Sequence, residues 1–175
     1  MTEQREEKIQ RMLANRQHDL TVIFENIDDP HNISACLRSC DSVGISEVYI
    51  LSSPDKKQSK LGKKSSASAT KWITIHHFFD AGKCFEEVRK RYSKIYSTLL
   101  SSSSVDLYEI DFTQSVALVF GNEHEGVSSA SASYCDGNFI IPQVGMIQSL
   151  NISVACAVSL YEAFRQRRLA GKYSH

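Results

Sequence analysis

The chain has 175 residues, 42% of them hydrophobic, and 20 Lys and Arg against 20 Asp and Glu give it a formal charge of +0. That size and composition suit one globular domain, residues 1–175, with a substantial core. No apolar run approaches the roughly 20 residues of a membrane span, and the charged first residues lack a signal-peptide core, so a soluble, cytoplasmic protein is expected.

Residues 3 to 17 read as a helix with Ile9, Met12 and Leu13 on one narrow side, which makes residues 1–18 a short arm suited to docking on another surface. Asp19 to Glu25, DLTVIFE, is a β-branched strand. It runs into IDDPHN, where Pro30 halts extended structure and His31 or Asn32 starts a helix that Gly44 ends. EVYIL forms a second strand, so the order is strand, helix, strand with a short crossover.

Ser52 to Lys64 has the composition of a loop, and SSASATKW leads from it to a third strand near Trp72 to His76. Helical spacing returns from Phe79 to Tyr92. KIYSTLL at 94–100 is a fourth strand, VALVF at 116–120 a fifth and NFII a sixth. Pro142 and Gly145 then force a turn, and Ser149 or Asn151 caps a helix at 150–168. Its positions from Ile152 to Phe164 are almost all apolar, more than a surface helix needs, so burial on most sides is expected. The alternation of strands and helices predicts an α/β fold, with a mainly parallel six-stranded sheet covered by helices on both faces.

Cys36, Cys40, Cys84, Cys135 and Cys156 are odd in number and form no C-x-x-C pair, so reduced core thiols are expected, with neither disulfides nor a metal site. Neutral overall charge conceals two basic regions. Lys56, Lys57, Lys60, Lys63, Lys64 and Lys71 crowd one Ser-rich segment, while Arg5, Lys8, Arg11 and Arg16 mark the arm. Both could meet phosphates; by charge alone a solvated loop and an ordinary helix face are the simpler account.

GNEHEG directly follows the strand at 116–120, the position in which α/β proteins bind ligands. Its glycine spacing imitates a phosphate loop, but Val127 stands where that loop needs lysine. No G-x-G-x-x-G follows a strand, and no Ser-His-acid or Cys-His arrangement is evident. Three polar clusters at loop–helix junctions remain: Asn32 to Arg38, Gly121 to Gly126, and Gln148 to Asn151. At the third, Ser149 and Asn151 either cap the helix alone or also hold a polar ligand with Gln148.

In order and spacing these clusters resemble the three motifs of the SpoU–TrmH branch of the SPOUT RNA methyltransferases: NISACLR, FGNEHEGVS and IPQVGMIQSLNISVA. Upstream, RQHDLTVIFENIDDPHNISACLRSCDSVG looks like the members that methylate tRNA guanosine. The resemblance implies a C-terminal deep trefoil knot, S-adenosylmethionine held in the knotted loops, and a homodimer packed through the last helix. It implies methylation of the 2′-oxygen of guanosine 18 in the tRNA D-loop. Arg38 then matches the catalytic arginine, with Asn32, Glu123, Ser149 and Asn151 as the polar residues around it. Thr98, Ile141 and Leu150 match cofactor positions, and Leu100, Gly121 and Met146 would line the same pocket. Two roles stay open for Arg38, proton acceptor or electrostatic stabiliser of the alkoxide. Glu123 could instead cap the helix after it. The rivals are the same chemistry on ribosomal RNA or a wobble nucleotide, and a non-catalytic RNA-binding member of the fold. For the ribosomal type, the residues before Leu20 leave no room for a larger N-terminal domain.

Overall fold

The computed structural model describes residues 2–54 and 71–174. Lys56, Lys57, Lys60, Lys63 and Lys64 lie outside the described residues. In chain order the elements are α1 (Glu3–Ala14), β1 (Leu20–Glu25), α2 (Pro30–Ser42), β2 (Glu47–Leu51), β3 (Thr74–Phe78), α3 (Ala81–Arg89), β4 (Lys94–Ser97), β5 (Val105–Asp106), β6 (Val116–Phe120), α4 (Ser129–Ala132), β7 (Gly137–Ile140) and α5 (Ile152–Leu169).

The strands form one sheet in the order β3, β2, β1, β6, β4, β7, β5. Every pairing in it is parallel. The sheet therefore has seven strands and not the six that the sequence predicts. The extra one, β5, sets Val105 and Asp106 opposite Phe139 and Ile140 of β7, and two residues after a serine run are too few to show an alternating pattern.

All six residues of β1 and all five of β6 are buried, as a central parallel strand requires, so apolar side chains must serve both faces. Leu20, Val22 and Phe24 point to the layer of α2 and α5, where they meet Cys36, Leu37, Cys156 and Leu160. Ile23 points the other way, to Cys84, Phe85 and Val88 of α3. The strand order reverses between β1 and β6, since β1 leads outward to β2 and β3 on one side while β6 leads past β4 to β7 on the other. A crevice opens at such a reversal beyond the strand carboxyl ends.

Asp29 caps α2 by accepting from the His31 N–H at 2.8 Å, and Pro30 takes the first turn, where its missing N–H costs nothing. Asn151 caps α5, accepting from the Ser153 N–H at 2.8 Å. α5 buries Ile152, Cys156, Leu160 and Ala163 but leaves Val154 and Tyr161 about half exposed. Its outward face is therefore more open than its apolar sequence predicts. The five cysteines are free, and four are buried. A hydrogen bond to Cys156, then burial, pushes the Cys36 thiol far above its ordinary range. Among the described residues no helix is long and apolar enough to cross a membrane, and no group of three His, Cys, Asp or Glu could hold a metal ion.

Candidate functional site

Beyond β6 the chain folds back on itself at once. A Cβ at Gly121 would meet the Gly126 carbonyl carbon at 2.2 Å, so only glycine permits the closure. Asn122 and Gly126 exchange backbone hydrogen bonds of 3.0 and 2.9 Å across the turn. The Asn122 side chain fixes the turn inside and out. Its Oδ1 accepts the His124 and Glu125 N–H groups at 2.9 and 3.0 Å. Its Nδ2 donates to the Asn26 carbonyl at 2.7 Å and to Asp28 Oδ2 at 2.8 Å. Asn26, at φ +52°, is the non-glycine residue that turns β1 toward this loop.

Glu123 is thereby presented to α2. Its Oε1 accepts from Asn32 Nδ2 at 2.9 Å, and its Oε2 from the Asp28 N–H at 3.4 Å. Asn32 in turn accepts from Asn151 Nδ2 at 3.2 Å. One chain of side-chain hydrogen bonds thus joins the three clusters that the sequence holds 91 and 119 residues apart from Asn32. Glu123 does not cap the next helix; Ser128 does, accepting from the Ser131 N–H.

Beside this chain lies a cavity of about 920 Å³ at the ends of β4, β6 and β7. Thr98, Leu100, Gly121, Ile141 and Leu150 line it, five of the six expected cofactor positions, together with Glu123, Ser149 and Asn151. Phe139 and Ala155 supply apolar floor. Met146 is 98% exposed and outside the lining, although its neighbours Gly145 and Ile147 belong to it. The Thr98 N–H and Oγ1 both donate to the Val119 carbonyl, at 3.0 and 3.2 Å, which ties the β4 loop to β6.

Arg38 lies elsewhere. It is exposed in a separate recess of about 360 Å³ with Ala35, Ser39, Ser42 and Tyr161, between α2 and α5. Arg5, Lys8 and Arg11 are exposed on α1, but Arg16 is not available to a phosphate. Its side chain is 6% exposed and donates to the Ile45 and Trp72 carbonyls, both at 2.7 Å, which fastens the arm to the sheet. Sequence reasoning left the role of Asn122 open and overlooked Asn26 and Asp28. An Asn within two residues of the end of a buried strand, with an acidic residue one or two positions beyond it, was the available signal.

Residues 19–161 match the model of the SpoU rRNA Methylase family. The chain is 40% identical over 172 residues to the tRNA (guanosine(18)-2′-O)-methyltransferase of Thermus thermophilus, covering 98% of itself and 88% of that protein. It superposes with a TM-score of 0.88 and 37% identity on the crystal structure of the A. aeolicus TrmH/SpoU tRNA modifying enzyme, over 99% of this chain and 87% of that one. The Streptomyces viridochromogenes SpoU methyltransferase AviRb in complex with AdoMet gives a TM-score of 0.77 at 28% identity, over 88% and 62% of the two chains.

Proposed function

We propose, for a chain that belongs to the SpoU rRNA Methylase family, the S-adenosylmethionine-dependent methylation of the 2′-oxygen of guanosine 18 in tRNA. The observation that carries this is the junction of Asn32, Glu123 and Asn151 at the mouth of the cavity, in a chain that follows tRNA enzymes nearly end to end. The cavity suits the donor: loop backbone at three strand ends offers polar contacts, and Leu100, Ile141, Leu150 and Phe139 offer an apolar surface for an adenine. When bound, S-adenosylmethionine supplies a methyl group activated on a sulfonium.

The residues of the chain do the rest. A ribose hydroxyl is a weak nucleophile at neutral pH, so the site must stabilise negative charge on its oxygen and hold that oxygen in line. Arg38 is the cation for this task. A guanidinium does not lose its proton in ordinary protein surroundings, so Arg38 acts by electrostatic stabilisation. Glu123 holds Asn32 and the Asp28 N–H, and Asn32 and Asn151 hold each other, which fixes the amides that face the nucleotide. Ser149 adds a hydroxyl at the same rim.

The chain acts as one methyltransferase domain, as a homodimer with a C-terminal deep trefoil knot. Support for the dimer comes from apolar side chains left bare: Val154 and Tyr161 on α5, and Val144, Met146 and Ile147 in the loop before it. Arg38 shares its recess with Tyr161, so a partner on α5 would bring the guanidinium to the subunit boundary. A tRNA substrate implies action in the cytoplasm, with Arg5, Lys8 and Arg11 meeting phosphates.

The test is transfer of labelled methyl from S-adenosylmethionine to unmodified tRNA, with the modified nucleotide mapped. Label should appear on the native transcript and vanish when guanosine 18 is replaced. Label on ribosomal RNA alone would overturn the substrate.

A further inference from the structure

Glu25, the last residue of β1, is 4% exposed and carries a carboxylate that no part of the reaction described above uses. No cation pairs with it among the described residues. Three donors converge on it: the Ser128 N–H reaches Oε2 at 2.9 Å, while the Ser128 and Ser131 hydroxyls reach Oε1 at 2.6 and 2.7 Å. Ser131 is itself fully buried. A buried charge without a counter-ion is costly to keep, and a carboxylate is the side chain that can accept from all three donors while donating to none.

The position of Glu25 gives that charge a purpose. The loop from Gly121 to Gly126 has two feet. Its front foot, Asn122, is bound by the Asn26 carbonyl and by Asp28. Its rear foot, Ser128, is bound by Glu25, with Val127 between them packed into the core at 5% exposure. Consecutive residues at the end of β1 therefore grip both ends of the loop that carries Glu123. Because the Asn122 to Gly126 backbone pair closes the loop, a shift at the rear foot would be carried to the Glu123 carboxylate and its bond to Asn32.

We propose that Glu25 is a positioning residue for methyl transfer, acting through Ser128 and Ser131 to set where Glu123 holds Asn32. This rests on the methyl-transfer reading of the site. Glu25→Gln keeps the shape but turns one end into a donor that faces donors. In the folded variant kcat should fall about 10- to 100-fold while KM for tRNA stays within about twofold, since displacement of a positioned group costs rate more than binding. Ser131→Ala removes a single donor and should lower kcat in the same direction by about threefold, with the thermal midpoint above the assay temperature. It carries the test if Glu25→Gln does not fold. Unchanged kcat in the folded variants overturns the proposal, as does a loss of activity that follows only the fraction unfolded. The native chain is assayed beside them. If it is inactive on tRNA, the methyl-transfer reading falls and takes this role with it; if it is active and the variants equal it, the role of Glu25 alone falls.

Discussion

The two ends of the parallel sheet handle charge in opposite ways. At the amino ends, charges are closed into pairs. Arg167 is fully buried and donates to Asp19, to Gln17 Oε1 at 2.9 Å and to the Gln114 carbonyl at 2.8 Å, while Lys172 takes the other oxygen of Asp19 at 2.6 Å. Both carboxylate oxygens of Glu47 accept from Arg91, at 2.9 and 2.7 Å, and Glu47 also meets the Tyr92 hydroxyl at 2.8 Å and His76 at 3.0 Å. At the carboxyl ends the linked polar groups are Asn, Asp, Glu and Ser, set around an open cavity. None of the ion pairs among the described residues touches the three motifs. The amino end is closed on itself and holds the fold; with the proposed methyl transfer at the open end, substitutions at the two ends should separate stability from rate.

Arg38→Ala should give the largest effect. On the proposed reading it stabilises the developing alkoxide, and removal of such a donor costs on the order of 100- to 1000-fold in kcat, with stability changed by less than about 0.5 kcal/mol for an exposed side chain. Single-turnover methyl transfer and a denaturant titration read the two quantities. Full activity in this variant would remove Arg38 from the chemistry.

Arg167→Met should do the reverse. Loss of the guanidinium takes a donor from the Asp19 and Gln114 carbonyls and leaves the Asp19 carboxylate with Lys172 as its remaining cation. A cost of about 3 kcal/mol is expected from denaturant midpoints, near the lower end for a broken buried pair because Asp19 keeps that cation and is itself 39% exposed. Per folded molecule, kcat should be unchanged; a fall would show that the amino-end clamp reaches the site.

Asn151→Ala tests both roles of one residue. Loss of the α5 cap should cost about 1 kcal/mol, and loss of the bond to Asn32 should lower kcat beyond anything that this destabilisation explains. Asn151→Ser, which restores a cap but cannot span to Asn32, should recover stability without recovering rate.

The smallest effect is the response to acid. Burial acts to raise the Asp19 pKa, but hydrogen bonds from Arg167 and Lys172 outweigh it and hold the carboxyl below its usual range. For Glu47 burial is likewise outweighed, here by Tyr92, His76 and Arg91. Both folded pKa values are thus depressed. Their contribution is complete above the ordinary carboxylate range and is lost as pH falls through the depressed values. Native protein should lose stability below about pH 4, and Asp19→Asn should flatten that decline. An unchanged decline would mean that the clamp does not govern it.

Sequence alone determined six of the seven strands in their order, with the long helices between them, and named the residues of the junction. Apolar runs such as VALVF and EVYIL announce buried parallel strands because a central strand has no face for water. The three polar clusters stood out because Asn and Glu next to such runs must find partners. Tertiary structure decided the rest. β5 is two residues long and exists only through its pairing with β7, which no local pattern can announce. Arg16 and Arg38 are alike as letters, yet one is sealed onto carbonyls and the other is exposed, because Arg16 falls where the arm crosses the β2 and β3 ends. The buried carboxylate of Glu25 shows the same limit. Its sequence signal is a lone charge ending an apolar strand, and its partners lie 103 and 106 residues away. Local sequence fixes what a residue can bond to; only the packing of the sheet fixes which of those bonds are made.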